Sequence, residues 1–214
     1  MRSVVRVVSG AILALVCGAA GAETITLPPP MLNSGVTLSK ALQDRRSIRD
    51  FSEEPVSDRF LSGVLWAANG FNRPDKRTNA TALNKQTIRI YVCMKSGAYL
   101  YDAKKNVLEK VCGEDLRVAL AGHQPFAARA PVSLVIAADL SDPLYAKPPR
   151  NALTHYDAGI VSGNIYLYCA ANGLATVCRG TMDQDALKKA LKLPDTTVLH
   201  LNHPIGYPEV AISR

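Results

Sequence analysis

The stretch from Asn151 to Asn172 is the longest helical candidate in the chain, and Gly173 closes it. A helix of that length runs for roughly 30 Å, about the width of a small domain, so shorter elements must be arranged around it. Gly159 and Gly163 fall four residues apart on one face of it. Missing side chains at that spacing let another backbone, or a flat ligand, come close, and helix packing is the commoner use.

The shorter periodic segments set the fold class. Ile88, Ile90, Val92 and Met94 alternate with Arg89, Tyr91 and Cys93, which predicts a strand with one buried face. Tyr99-Leu100-Tyr101 and Val107 to Val111 flank Asp102 to Asn106 as a hairpin. Pro131 to Ala137 is apolar enough for a central strand, Ala175 to Cys178 makes a short one, and Val198 to Leu201 a last one. Helices are expected over Thr37 to Asp44, from an Asp115 cap to Ala121, and over Asp183 to Leu191. Another follows the cap residue Ser57, carries Phe60, Leu61, Val64, Leu65 and Ala68 on one face, and stops at Gly70. Helices interspersed with a hairpin and strands indicate an α+β fold around one mixed sheet.

At 214 residues there is room for one sizeable core, and a hydrophobic content of 48% excludes disorder. Residues 1–22 read as a secretory signal: Arg2 and Arg6 precede the apolar run Gly10 to Cys17, and Ala20-Gly21-Ala22 offers a small-x-small cleavage site. The run is short for a membrane span, and Val16 before Cys17 is bulky for a lipoprotein signal. The expected product is periplasmic or otherwise exported, without stable membrane insertion. Residues 23–36, with Leu27-Pro28-Pro29-Pro30, form an extended segment ahead of one domain, 37–214. Losing Arg2 and Arg6 lowers the net charge from +7 to +5. The remaining bases are scattered among acids, which disfavours nucleic acid and favours a small anion.

That anion has an obvious seat in Arg45-Arg46-Ser47-Ile48-Arg49. Three guanidinium forks and a hydroxyl within five residues match phosphate oxygens. From Asn69 to Thr87 the apolar period disappears and polar residues crowd in, including Asn84 and Gln86. A polar loop of that length inside a compact domain is usually functional. Four cysteines remain after cleavage, allowing three pairings; Cys93 with Cys112, bracketing the hairpin, is preferred, with Cys169 to Cys178 as complement. No spacing suggests a metal site, and His200 and His203 read as structural residues of a strand. No Ser/His/Asp arrangement is evident.

Taken in order, Arg45 to Phe51, Leu65-Trp66-Ala67-Ala68-Asn69-Gly70, Asn84-Lys85-Gln86, Asp157-Ala158-Gly159 leading to Ala171 to Thr176, and Gly206-Tyr207-Pro208 resemble the FMN-dependent nitroreductase family. The Leu65 to Gly70 wording and the Tyr99 to Asp102 hairpin are most similar to its thiazole- and oxazole-forming dehydrogenase branch. The resemblance implies a homodimer with a mainly antiparallel sheet flanked by helices, the long helix lying at the interface. It also implies FMN as cofactor, a small-molecule electron donor and acceptor, and hydride transfer at flavin N5 without a catalytic side chain. By the same resemblance, Arg45, Arg46, Ser47 and Arg49 would hold the phosphate and ribityl chain. Asn84 and Gln86 would address the ring edge, and Val177 to Gly180 would pass the ring, with Arg179 and Gly180 among the contacts. Past Pro208 the only base is Arg214, so phosphate binding is expected to lean on the first cluster. Dependence on NAD(P)H is not expected outside the cytosol. The alternative is a non-catalytic envelope binding or assembly protein that keeps this fold with a degenerate flavin site.

Overall fold

A computed structural model of the chain describes residues 23–145 and 147–210. The expected signal, residues 1–22, lies outside the described residues. The order is β1 (Thr24–Thr26), α1 (Leu38–Asp44), α2 (Asp58–Asn69), β2 (Phe71–Arg73), β3 (Lys76–Arg77), β4 (Ile88–Met94), β5 (Gly97–Asp102), β6 (Val107–Cys112), α3 (Arg117–Ala121), α4 (Phe126–Arg129), β7 (Val132–Asp139), α5 (Leu153–Asn172), β8 (Ala175–Thr176), α6 (Gln184–Ala190) and β9 (Thr197–Gly206). Short 3-10 turns sit at Ala82–Asn84 and Arg150–Ala152. Seven strands form one sheet in the order β1-β6-β5-β4-β7-β9-β8, each neighbouring pair antiparallel, while β2 and β3 form a separate hairpin.

The α+β architecture is the expected one; of the two expected N-caps Ser57 holds, while Thr37 and Asp183, expected as first residues of their helices, cap them instead. Thr37 accepts from the Lys40 N–H, Ser57 from Phe60 and Asp183 from Ala186, each satisfying one open donor of its helix. At α3 the cap is Leu116, and Asp115 instead holds the Arg117 N–H and guanidinium. The expectation of one buried face for β4 is corrected. Ile88, Ile90 and Val92 pack under α2 and α5, but Tyr91 and Cys93 are buried too, with Leu120 of α3 and Leu187 of α6. Tyrosine and cysteine read as polar in an alternation yet are apolar enough to fill a second core layer.

Four short elements escaped the sequence: β1, β2, β3 and α4. Strand β1 is an edge three residues long, and behind it Ser62 and Asn106 both donate to the Pro28 carbonyl, so the proline-rich segment is tied to α2 and the sheet. The polar loop folds partly into the β2–β3 hairpin. Strand β9 continues past Pro204 because Asn202 exchanges both backbone bonds with Arg179 on its outer edge. Two residues on, Pro204 turns its missing donor to that same edge, where β8 pairs only Ile205 and Gly206.

The cysteine pairing does not form: all four described cysteines are free thiols. Cys93 and Cys112 both stand opposite Ala98, from either side of β5, so two strand spacings of roughly 9.5 Å separate them. A disulfide tolerates only about 7 Å between Cα atoms. Cys169, buried in α5, is likewise unpaired with Cys178. The close helix approach within the chain falls at Gly63 of α2, where a Cβ would collide with the Tyr168 ring of α5. A Cβ at Gly159 or Gly163 would meet nothing, and with the exposed Tyr156 and Ile160 they leave one face of α5 open.

Candidate functional site

After α1 the backbone leaves helical geometry at Arg45 and runs extended, pinned by Ile48 N–H to the Thr176 carbonyl and Ser52 N–H to the Tyr207 carbonyl. Ile48 and the fully buried Phe51 pack against Ala130 and Ala175. Anchoring those two turns Arg45, Arg46, Ser47 and Arg49 outward, and all four are exposed. The guanidinium of Arg45 lies over the Tyr166 ring of α5, 5.2 Å from its centroid. Tyr166 Oη accepts from the Cys178 N–H at 2.8 Å and lies 2.8 Å from Ser47 Oγ. With one bond already on the phenol oxygen, Tyr166 can give its proton to Ser47, which frees the serine proton for a ligand. Arg46 Nε donates to the Asp44 carbonyl, while the Asp44 carboxylate is taken by Lys40 at 2.6 Å. Among the described residues no carboxylate pairs with Arg45, Arg46 or Arg49. A cluster of unneutralised forks is a site for an anion such as phosphate.

The second group is a strained loop. Leu83, Asn84 and Gln86 all hold left-handed backbone, with φ of 52°, 53° and 52°. Each costs of order 1 kcal/mol or more, so the surroundings have to enforce it. The Ala82 N–H donates to both oxygens of Asp157 on α5, at 3.1 and 3.3 Å, and Tyr145 Oη donates to the Ala82 carbonyl. Burial pushes the Asp157 carboxyl up in pKa, against the pull of the Ala82 bond. Thr81 Oγ1 accepts from the Gln86 N–H, and Lys85 pairs with Asp142 at 2.7 Å. Gln86 spends both ends of its amide inside the loop: Oε1 accepts from Arg77 Nε, and Nε2 donates to the Asp75 carbonyl and Asn84 Oδ1. It therefore shapes the loop. Asn84 keeps its amide nitrogen for something outside.

Arg179 is not where the resemblance placed its side chain. It is buried, donating to the Leu120 and Ala121 carbonyls at the end of α3, to Gln124 Oε1 and to Asn202 Oδ1. Burial lowers its pKa. Four of its five N–H donors are used, so the guanidinium is a bolt between α3 and β9. Gly180 beside it is exposed with open space at its Cα.

Among the described residues no hydrogen bond or ion pair joins the basic corner to the loop. Both lean on α5, the first on Tyr166 and the second on Asp157. Those residues are nine apart, about 13.5 Å along the axis and, at 3.6 residues per turn, on opposite flanks. The open strip bearing Tyr156, Gly159, Ile160 and Gly163 lies between the flanks. Tyr166 and Tyr145 carry no signal that would mark them in the sequence, because their partners are brought in by the fold; Arg77 stood only as one of the polar-loop bases, and Asp157 only as part of a motif.

The sequence profile described as Nitroreductase family matches residues 42–207. The chain belongs to the nitroreductase family. A protein of Methanocaldococcus jannaschii designated a nitroreductase is 29% identical over 184 residues, covering 80% of this chain and 91% of its own. The solved structure of a protein so designated from Ralstonia eutropha JMP134 is 34% identical, covers 87% of this chain and 90% of that one, and superposes with a TM-score of 0.81. B. megaterium NfrA2, at 20% identity, 83% of this chain and 68% of that one, shares the fold with a TM-score of 0.62. Within this nitroreductase-family oxidoreductase, the matched span contains the basic corner, the strained loop and α5.

Proposed function

We propose that this nitroreductase-family protein is an exported, homodimeric FMN oxidoreductase that moves two electrons between a small-molecule donor and acceptor. The observation that carries the reading is the placement of two ligand-facing groups on opposite flanks of one open helix. A second copy laid on the strip of Tyr156, Gly159, Ile160 and Gly163 would bring one chain's corner towards the other's loop. The residues fit the cofactor. Arg45, Arg46 and Arg49 lack carboxylate partners among the described residues and would take the phosphate, with the Ser47 hydroxyl beside them. Asn84, its amide nitrogen outward, would address the ring edge, and Gln86 would hold it there. In Val177 to Gly180, Cys178 and Arg179 give their N–H groups to Tyr166 and Asn202, so the backbone N–H groups of Val177 and Gly180 are the ones that would be available to the ring.

When bound, FMN supplies hydride chemistry at N5. The chain's own residues bind, orient and offset charge: the corner fixes the phosphate end, and the strained loop is preorganised and needs no rearrangement when negative charge develops. Export is supported by Arg2, Arg6, the Gly10 to Cys17 run and Ala20-Gly21-Ala22. N-terminal sequencing of protein from the exported fraction should begin at Glu23.

The deciding experiment adds FMN to the purified chain and follows flavin fluorescence alongside mass by sedimentation. Quenched fluorescence on a particle of twice the chain mass is expected. No binding at micromolar FMN would instead favour a binding or assembly protein. Arg45→Ala should weaken FMN by about 1.5 to 3 kcal/mol, the scale of a lost charge-assisted bond. An unchanged dissociation constant would remove Arg45 from the site.

A further inference from the structure

A cavity of about 440 Å³ lies behind the strained loop, between the end of α2, the start of β4 and the β5–β6 hairpin. Arg77, Arg89 and Lys104 line it, and among the described residues none of the three is paired with a carboxylate. Arg77 lies flat over Phe71, 4.1 Å from the ring centroid, with Nε on Gln86 and Nη1 on the Asn69 carbonyl. Burial and then the nearby Arg89 charge lower its pKa, so two like charges are held together at a cost. Arg89 spends only Nη1, on the Gln86 and Ile88 carbonyls. Its Nε and Nη2 remain, the pair of parallel donors that meets both oxygens of a carboxylate.

The remaining wall restricts what can enter. Ile88, Leu100 and the ring of Tyr101 make it partly apolar. Asp102 and Glu109 also line it, but both are paired with Lys105, at 3.1 and 3.2 Å. Asp102 also accepts from the Lys104 and Lys105 N–H groups. Burial alone would raise the Asp102 pKa, and these bonds outweigh it, so the carboxyl stays ionised. Lys85 is occupied by Asp142. One open fork, in a partly apolar cavity whose wall also carries two carboxylates, matches a planar, singly charged carboxylate. The larger cavity at the opposite end of the sheet offers no open guanidinium fork, because its Arg117 and Arg129 are already paired with Asp115 and Glu209 and its remaining base is the single ammonium of Lys95.

We infer that this cavity binds a small aromatic or aliphatic monocarboxylate, seated on the open fork of Arg89, beside Arg77 and Lys104. Gln86 is gripped from this side by both arginines, so the occupant abuts the loop that carries Asn84. The inference stands without a flavin, and its test is run without one.

The experiment titrates benzoate into the purified full chain by calorimetry at low salt, with benzamide and inorganic phosphate in parallel. Saturable benzoate binding is expected, at least tenfold tighter than either comparator. Arg89→Lys keeps the charge but loses the fork, and should weaken benzoate about tenfold in a chain that still unfolds cooperatively. Should that variant not fold, Lys104→Gln, on an exposed side chain, decides: about threefold weaker binding is expected. Absent benzoate binding, equal binding of benzamide, tighter phosphate, or an unaltered affinity in the deciding variant would each overturn the assignment.

Discussion

Arg179→Ala should destabilise the chain by about 3 to 4 kcal/mol, read as a lowered denaturant midpoint. The substitution strands the Leu120 carbonyl and Asn202 Oδ1, and leaves the Ala121 carbonyl with the Gln124 N–H alone. A buried acceptor left without its donor costs about 1 to 3 kcal/mol, and bonds to a charged group sit at the upper end. Loss of the guanidinium over Phe126, 5.5 Å from its ring centroid, adds to this. The neighbouring Gly180→Ala is the control. Nothing lies within 4 Å of the added methyl, so stability should stay within about 0.5 kcal/mol of the parent. If Arg179→Ala were equally silent, the bolt between α3 and β9 would be an incorrect description.

Acid should unfold the protein through His203. The ring is fully buried between Ser162 Oγ at 2.8 Å and Thr176 Oγ1 at 3.0 Å, with Tyr166 edge-on. Burial pushes its pKa down to about 3, and that of His200 down to about 4, helped by the adjacent His155. Both folded values lie below the ordinary 6.5, so below that pH the unfolded chain takes up the proton first. The stability from burying a neutral ring is complete above pH 6.5 and is lost as pH falls towards the folded value. For His203 alone, roughly two and a half pH units at about 1.4 kcal/mol each give a loss of about 3 kcal/mol between pH 6.5 and 4. Denaturant titrations at pH 7.5, 5.5 and 4 read the slope. His203→Gln, which can still bond Ser162 and Thr176, should remove most of it. A slope unchanged in that variant would shift the acid sensitivity to other groups.

His203 also ties stability to the site. It supports Tyr166, on which Arg45 and Ser47 rest, so the corner should loosen over the same pH range. The site residues differ in how they could be recognised. Arg45, Arg46, Ser47 and Arg49 are contiguous, and their local pattern alone announces an anion seat. Asn84 and Gln86 stand in a polar loop whose length is itself a signal, but the division of labour between them depends on Asp75, Arg77 and Thr81. Arg179 shows the limit of a motif. Its segment was expected, by resemblance alone, to pass a ring, yet one bridge to Asn202 rotates the side chain into the core. The cysteines fail for a similar reason: bracketing a hairpin in sequence places Cys93 and Cys112 on either side of a third strand.

Residue order by itself determined the local elements, because capping, breaking and alternation act between residues a few positions apart. It settled α1, α2 with its Ser57 cap, α5 with its Gly173 stop, the β5–β6 hairpin, and the basic corner. Only the tertiary structure decided that the corner and the strained loop lie on opposite flanks of α5, that Arg179 turns inward, and that Arg89 keeps an open fork. Those outcomes depend on contacts between residues distant in the chain, where the geometry of packed helices and strands selects which donor meets which acceptor.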